Sequence, residues 1–206
     1  MLEQRIFAIS GVNELRALIN GYSWATLVSA VDSADLVVSH LPILLDANDP
    51  GLSVLGHLAR ADANIHELGK HQVVLIIQGP HGYVSPTWYK AGPYVPTWNF
   101  VVVHLHGRPE LLDEEETYSV LSATVDHFEA ARPEPWRLDS VVDYARRIAP
   151  GTTGFRMKPS RIVGKAKLSQ DKPADVAKRV IEALESDPYQ GQPEVAAAIR
   201  QHLNMN

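Results

Sequence analysis

Two residues with phosphate-binding chemistry lie three positions apart in the segment GHLARADAN, residues 56–64. A strand should end near Gly56, and the residues after it are compatible with a helix. Across such a turn His57 and Arg60 could face the same way, and Gly56 would let a ligand approach the backbone closely. A phosphate there would meet free N–H groups and a guanidinium. The alternative is structural: Arg60 is a solvated helix arginine and His57 closes a strand.

A second candidate region is the segment from Gln78 to Gly107, which carries two Thr-Trp pairs among prolines and glycines. Hydrophobic β-type runs flank it at 73–77 and 100–103. Aromatic side chains on a loop offer a flat ligand a large contact area at low entropic cost. The alternative is a long hairpin whose aromatic residues fill the end of a barrel.

Other chemical signals in the sequence are weak. His104 and His106 share one face of a strand, but a metal site needs a third ligand and no HExxH pattern supplies one. We therefore expect no metal. Ser39 and Ser85 have no evident base partner, cysteine is absent, and nucleophile-elbow, P-loop and dinucleotide motifs are missing. Any difficult chemistry would then belong to a bound cofactor.

Composition indicates a globular protein that stays in the cytoplasm. Of its 206 residues, 45% are hydrophobic and 21% charged, and the net charge is −5. No block of lysine and arginine forms a basic face, which argues against direct binding of duplex DNA. The opening residues lack a signal-peptide core and no apolar run is long enough to span a membrane, so we expect no membrane association.

These candidates must be positioned by a β-rich centre that helices surround. Asp113 and Glu116 form a predicted capping box, and the helix after them should bury Leu121, Val125 and Phe128. Pro159 indicates an edge strand with a bulge across 154–163. The predicted helices are 13–20, 113–132, 139–148, 173–186 and 193–203, and the other predicted strands are 24–31, 35–45 and 52–55.

Several segments together resemble the PaiB-like family of FMN-binding negative transcriptional regulators. Their order and spacing match over roughly residues 1–186, and the Ser-Pro-x-Trp-Tyr and Val-Pro-Thr-Trp-Asn pair is the most specific part. The matching segments are His40-Leu41-Pro42, Gly56 to Arg60, Gly79-Pro80, Tyr83 to Tyr89, Val95 to Asn99, and Gly164 to Gln170.

The resemblance implies a mainly β protein with helices (α+β), an FMN-binding split β-barrel related to pyridoxamine-phosphate oxidases and flavin reductases. It implies a homodimer with FMN at the subunit interface. We expect a single domain over 1–206, with the barrel core at about 22–110 and 154–170 and helical additions at 113–150 and 173–203.

The resemblance also implies which residues bind FMN. The turn at the phosphate comprises Gly56, His57, Leu58, Ala59 and Arg60. The residues lining the flavin or a neighbouring pocket would be Ser85, Trp88, Tyr89, Thr97, Trp98, Asn99, Lys167, Ser169 and Gln170.

Two departures from the family pattern add negative charge. Asp62-Ala63 stands where the family has Asn-Pro, and Asp171 stands where it has Asn. Either carboxylate would weaken phosphate binding if it faced the phosphate. The first functional interpretation is an FMN-binding dimeric transcriptional regulator. The alternatives are a flavin-dependent oxidoreductase or flavin reductase that uses NAD(P)H, and an interaction scaffold without cofactor.

Overall fold

The computed structural model describes residues 1–32 and 35–205. Three short 3-10 turns, at Arg5–Phe7, Leu138–Val141 and Ala149–Gly151, accompany the strands and helices. The strands are β1 (Ala8–Ile9), β2 (Trp24–Val31), β3 (Asp35–Leu45), β4 (Val54–Ala59), β5 (Val73–Val84), β6 (Thr97–Gly107), β7 (Glu110–Leu111), β8 (Thr152–Met157) and β9 (Arg161–Lys167). The helices are α1 (Val12–Gly21), α2 (Arg60–Ile65), α3 (Pro86–Tyr89), α4 (Glu114–Glu129), α5 (Val142–Ile148), α6 (Ala174–Ser186) and α7 (Pro193–Leu203).

The chain divides into two compact units. The larger unit comprises residues 12–77 and 104–162, and the smaller unit comprises residues 1–11, 78–103 and the chain from 163 onward. Strands β5 and β6 each begin in one unit and end in the other.

The larger unit is built on an antiparallel sheet with the strand order β5-β2-β3-β4-β8-β7. Strands β2 and β3 have the predicted bounds, although part of the predicted connection at 32–34 lies outside the described residues. Alternate side chains of these strands, including Leu27, Leu41 and Ile43, point to the core and are fully buried. The runs of β-branched and apolar residues therefore explain these two strands, which carry apolar side chains on both faces.

The smaller unit combines the strand order β1-β9-β6-β5 with helices α3, α6 and α7. Helices α6 and α7 confirm the two predicted C-terminal helices and pack on each other, and α3 packs on α6. Their apolar stripes, including Val180, Leu184 and Ile199, are fully buried. The 3.6-residue periodicity of the sequence thus predicts these faces correctly.

Three predictions about local structure are wrong in instructive ways. The predicted strand at 52–55 continues to Ala59, because β4 pairs with β8 along its whole length. Residues 154–163 form two strands rather than one bulged edge strand, and Pro159 lies between them. The helix predicted from residue 139 begins with a 3-10 turn, and α5 starts only at Val142.

Helix α4 has the predicted start but a different buried face. The capping box of Asp113 and Glu116 is confirmed, with Glu116 N donating to Asp113 Oδ1 over 2.8 Å. The buried side chains are Thr117, Tyr118, Val120 and Thr124, whereas the predicted Phe128 is largely exposed. Small threonine side chains fit closely against the sheet, so packing overrode the apolar stripe. Within the described residues, no helix has the length and apolarity needed to cross a membrane.

Candidate functional site

The first predicted site segment, Gly56 to Arg60, lies in the larger unit. Gly56 is buried in β4, and a Cβ at this position would lie 2.6 Å from Cζ of Phe155. The close approach that glycine permits here is therefore made by the Phe155 ring. Leu58, two residues on, is also buried in the core.

His57 does not sit on the predicted turn but in the middle of the β4–β8 ladder, opposite Gly154. Its Nδ1 is buried without a hydrogen-bond partner, and burial lowers the pKa of the imidazole. Helix α4 covers this part of the sheet, since Thr117 Oγ1 accepts a hydrogen bond from Gly154 N over 3.2 Å. His57 is therefore a half-buried side chain in a strand, and its burial favours the neutral imidazole.

Arg60 is the residue of this segment whose side chain is exposed and can contact a ligand. It begins helix α2 after Ala59, whose side chain makes no cap, and its side chain is exposed. Its Nε donates to the carbonyl of Pro150 over 2.5 Å and its Nη2 to that of Thr152 over 3.4 Å. No carboxylate among the described residues pairs with it, and the carbonyls hold the guanidinium in place without neutralising it.

Arg60 lines a cavity of about 610 Å³ within the larger unit. This volume lies in the range of small-molecule sites. Tyr118 lines the same cavity; it is 9% exposed, and its buried hydroxyl has no hydrogen-bond partner. Arg146, also a lining residue, stacks over the Tyr118 ring at 4.3 Å and forms a two-pronged ion pair with Glu115 at 2.7 and 3.2 Å. Asp62 is not among the lining residues.

The second predicted site segment lies in the smaller unit, where Ser85, Trp88 and Tyr89 serve the local structure. Ser85 caps α3 by accepting a hydrogen bond from Thr87 N over 3.3 Å. Trp88 is 9% exposed and its indole donates to Asp187 over 3.3 Å, while Tyr89 is 1% exposed. Burial raises the pKa of the Tyr89 hydroxyl. Both aromatic side chains are thus packed in the core of this unit.

Thr97, Trp98 and Asn99 do not form one continuous lining. Consecutive strand residues point to opposite faces, so Trp98 faces away from its two neighbours. Trp98 is 54% exposed and meets Tyr83 edge-on at 6.3 Å between ring centroids. Asn99 is buried, donates through Nδ2 to Ser169 Oγ over 2.8 Å, and leaves its Oδ1 without a partner.

Lys167 and the turn after β9 complete the polar cluster around Thr97. Lys167 Nζ donates to Thr97 Oγ1, and burial lowers the pKa of this amine. Ser169 adopts a left-handed backbone with φ of 61°. Gln170 closes the turn, since its amide accepts from Leu168 N and donates to Ala166 O, both over 2.6 Å.

Asp171, the second acidic departure, is neutralised within its own turn. Its Oδ2 lies 2.7 Å from Lys172 Nζ, and this pairing raises the pKa of Lys172. The Lys172 ammonium also lies 4.9 Å from the centre of the Tyr94 ring. The Asp171 carboxylate therefore carries little uncompensated charge towards a neighbouring anion.

Sequence reasoning missed two groupings because their members are far apart in the chain. One is the cavity pair of Tyr118 and Arg146. The other is the group of His66, Ser29 and Ser39. The buried His66 ring lies within hydrogen-bond distance of Ser29 Oγ, at 2.8 Å, and of Ser39 Oγ, at 2.9 Å, so Ser39 does have a base partner. The i, i+4 spacing of Asp62 and His66 was the one local signal for this histidine.

The two histidines of β6 have the predicted arrangement. His104 and His106 lie two apart on the strand, and their ring centroids are 6.4 Å apart. Among the described residues, no group of three or more His, Asp or Glu side chains is placed to hold a metal ion.

Comparison with known sequences identifies the family. Residues 1–161 match the family described as "Putative FMN-binding domain". The chain belongs to this FMN-binding family. The predicted resemblance and the flavin cofactor are thereby confirmed, with FMN as the cofactor of the family.

A Bacillus and a yeast relative align with this chain over more than half of its length. The chain is 26% identical to the "Protease synthase and sporulation protein PAI 2" of Bacillus subtilis, over 97% of this chain and 96% of that protein. It is 31% identical to an uncharacterised protein of Saccharomyces cerevisiae, over 59% of this chain and 78% of the yeast protein.

Solved flavoproteins share the fold. The flavocytochrome Anf3 of Azotobacter vinelandii matches with a TM-score of 0.59 at 18% identity, over 80% of this chain and 72% of that one. The FAD and heme binding protein of Mycobacterium smegmatis matches with a TM-score of 0.59 at 13% identity, over 89% and 81%. The predicted α+β fold class of the split-barrel flavoproteins is confirmed.

The residues present in the larger unit fit the phosphate of FMN. A cation without an acidic partner lines a cavity of sufficient size, and a buried hydroxyl in that lining lacks a hydrogen-bond partner. The Arg60 guanidinium can donate to phosphate oxygens, whereas the Tyr118 hydroxyl has almost no accessible surface and is not placed to do so.

Proposed function

We propose that this chain is a homodimeric FMN-binding protein that regulates transcription through a protein partner. The observation that carries the cofactor site is Arg60, an unneutralised guanidinium held at the edge of a cavity. In this proposal Arg60 binds the FMN phosphate, and Gly56, His57, Leu58 and Ala59 form the strand that brings it there. A guanidinium matches the geometry of phosphate oxygens, which makes arginine well suited to this role.

We propose separately that the polar cluster of the smaller unit offers groups for contact with a flavin ring. Lys167, Asn99 and Ser169 supply hydrogen-bonding groups, whereas Trp98 lies on the opposite face of β6 and is not part of this cluster. A bound flavin provides the redox or ligand-sensing chemistry, while these side chains orient it and limit access of water. Of the other sequence-predicted residues, Thr97 and Gln170 support this cluster through Lys167 and the turn after β9, whereas Ser85, Trp88 and Tyr89 serve the local structure of α3.

The proposed dimer uses the outer face of the β2–β3 hairpin. In this register Val28 lies opposite Val38 and Ala30 lies opposite Leu36. Leu36, Val38 and the nearby Trp24 are 68%, 54% and 62% exposed. An exposed apolar sheet face of this kind is typical of a protein interface.

The dimer is tested by charge substitution. Val38→Lys should shift the protein to a monomer in light scattering coupled to gel filtration. The matched control is Ile148→Lys, since Ile148 has the same 54% exposure but lies on α5. A wild-type monomer at micromolar concentration would contradict the proposal, as would a Val38→Lys dimer.

The regulatory part of the proposal rests on the Bacillus relative, whose name links it to protease synthesis and sporulation. A net charge of −5 opposes direct binding to DNA phosphates, so action through a protein partner fits this chain better. If the purified protein alone retarded operator DNA in a gel-shift assay, and the binding weakened steeply with salt as phosphate contacts do, action through a protein partner would be contradicted.

The alternative is a flavin-dependent oxidoreductase. Lys167 favours it, because a half-buried amine beside the proposed flavin could stabilise negative charge on a reduced ring. Bleaching of the flavin absorbance by NADPH in the absence of oxygen would support turnover. A spectrum that NADPH leaves unchanged would favour the regulator, and a protein that binds no flavin would favour an interaction scaffold.

The cofactor site is tested by the visible spectrum of the protein after FMN is added and the excess removed. Wild type should retain the flavin bands, and Arg60→Ala should lose them. Arg108→Ala is the matched control, because Arg108 is an exposed arginine in the same unit that also donates to a backbone carbonyl, Gly69 O, over 2.7 Å. Equal loss of FMN in both variants would refute the role of Arg60.

A further inference from the structure

The buried ring of His66 joins serines from two neighbouring strands. Ser29 lies on β2 and Ser39 on β3, and their hydroxyl oxygens lie 2.8 Å from Nδ1 and 2.9 Å from Nε2 of this imidazole. Ser29 and His66 are buried, whereas Ser39 is only half-buried. We propose that this group hydrolyses small acyl esters, with Ser39 as the nucleophile, His66 as the general base and Ser29 as the residue that positions the imidazole. The activity needs no flavin and is independent of the proposed function.

The two contacts of the imidazole give each nitrogen a separate task. A serine hydroxyl is a weak nucleophile until a base removes its proton, and the 2.9 Å separation of Ser39 Oγ and His66 Nε2 permits that transfer. If Nδ1 carries the proton of the neutral ring, it donates to Ser29 Oγ and leaves the Nε2 lone pair directed at Ser39. Ser29 therefore selects the tautomer that can act as a base.

The charged neighbours of His66 suit a base that works at neutral pH. Burial lowers the pKa of the imidazole below the ordinary 6.5, so its neutral form is present at pH 7. The Asp62 carboxylate opposes this shift and favours the imidazolium that forms when the proton is accepted, while His71 reinforces the lowering. Helix α2 fixes the position, because His66 N donates to Asp62 O over 2.9 Å.

Ser39 lies where the edge of β3 is accessible within the described sheet. Strand β4 pairs with β3 from Ile43 to Leu45, so around Ser39 the described strand beside β3 is β2. Ile43 N donates towards β2, to Ser23 O over 2.8 Å. Since alternate residues of a strand direct their N–H groups to opposite sides, the N–H of His40 points away from β2. This amide follows the nucleophile directly and is the donor for an oxyanion formed at Ser39.

The side chains around Ser39 favour a short apolar acyl group. Val37 and Leu41 lie on the same face of β3 as Ser39, and Leu27 lies opposite it in the register with β2. Leu27 and Leu41 are fully buried and Val37 is half-buried, so they leave little room beside the hydroxyl. An acetyl ester fits these surroundings better than a long-chain ester.

The reaction proceeds in two balanced steps. Ser39 Oγ bonds to the acyl carbon while its proton moves to His66 Nε2, the bond from that carbon to the alcohol oxygen breaks, and Nε2 returns the proton to the departing alcohol. Water then attacks the acyl-serine in the same way. His66 accepts the proton of the water and returns it to Ser39 Oγ, and a carboxylic acid is released. Nothing is oxidised or reduced.

Two probes test the nucleophile in the full chain after incubation with FMN. p-Nitrophenyl acetate measures hydrolysis, and diisopropyl fluorophosphate modifies serines that a base activates. Wild type should hydrolyse the ester and carry the phosphoryl group on Ser39, as located by peptide mass spectrometry. Ser39→Ala should lose the label and lower kcat/KM at least about 100-fold, since it removes the nucleophile. Its melting temperature should change little, because Ser39 is half-buried.

Ser29→Ala tests the positioning role. It should lower kcat about 3- to 10-fold with KM unchanged, the effect of one lost hydrogen bond that orients the base. In wild type the rate should rise with pH around a midpoint below 6.5, because the base must be neutral. In Ser29→Ala this midpoint should move to lower pH, because the imidazolium loses an acceptor. A purely structural Ser29 would lower the melting temperature and leave the midpoint where it is.

Ser23 provides the matched control. Its Oγ lies 3.0 Å from His127 Nε2, a similar serine–histidine contact, but Ser23 is 7% exposed and is not accessible to an ester. Ser23→Ala should therefore hydrolyse the ester and take up the label like wild type. The inference is overturned if Ser39→Ala keeps the wild-type rate, if the label is absent or on another residue, or if Ser23→Ala loses as much activity. FMN binding is read separately from the visible spectrum of the same samples, so neither result decides the other.

Discussion

The role of Gly56 can be decided by one substitution, Gly56→Ala. The new Cβ would lie 2.6 Å from Cζ and 2.8 Å from Cε1 of Phe155, distances far below normal contact. Phe155 is fully buried, so its ring cannot move aside without disturbing the sheet. Overpacking of this kind typically costs about 1–3 kcal/mol, which lowers the melting temperature of a chain this long by several degrees.

The measurement is urea unfolding of the flavin-free protein, followed by FMN titration. Gly21→Ala is the matched control, because a Cβ at Gly21 meets nothing within 4 Å and the residue closes helix α1. It should leave stability unchanged or raise it by up to about 1 kcal/mol. In a Phe155→Leu background, which lacks the clashing ring atoms, Gly56→Ala should cost clearly less than in wild type.

The packing explanation would be refuted by a stable variant that has lost its cofactor. If Gly56→Ala unfolds like wild type in the absence of flavin but no longer binds FMN, the glycine is required so that the ligand can come close to the backbone, as the sequence analysis predicted. If stability falls and the residual folded protein still binds FMN, the glycine is required by the Phe155 ring.

Two further predictions concern stability. Burial lowers the pKa of His57 and His66 below the ordinary 6.5, so the unfolded chain takes up protons at a pH where the native protein does not. The free energy of unfolding should be greatest above about pH 6.5 and fall as the pH decreases, and it should fall less steeply in His66→Gln. A urea midpoint that does not change from pH 7.5 to 5 would contradict this prediction. Asp113→Ala should cost about 0.5–2 kcal/mol by removing the α4 cap, whereas Glu114→Ala should have little effect, and equal costs in thermal unfolding would refute the capping role.

Local patterns predicted those elements whose residues make contacts close to them in sequence. Runs of β-branched and apolar residues predicted β2 and β3, and helical periodicity predicted α6 and α7, whose apolar faces the structure buries. The capping box of α4 is likewise local, since its two partners are three residues apart. Family motifs added the flavin cofactor, which no single pattern of residues specified.

The sequence by itself determined the fold class and most of the elements, and it also singled out Arg60, the arginine that we propose binds phosphate. Tertiary structure decided what the other motif residues do, because contacts between distant segments have no local signature. The ring of Phe155 fills the space above Gly56, and strand alternation turns Trp98 away from Asn99. Only folding brings Tyr118 and Arg146 to the cavity of Arg60, since the three residues belong to helices that are far apart in the chain.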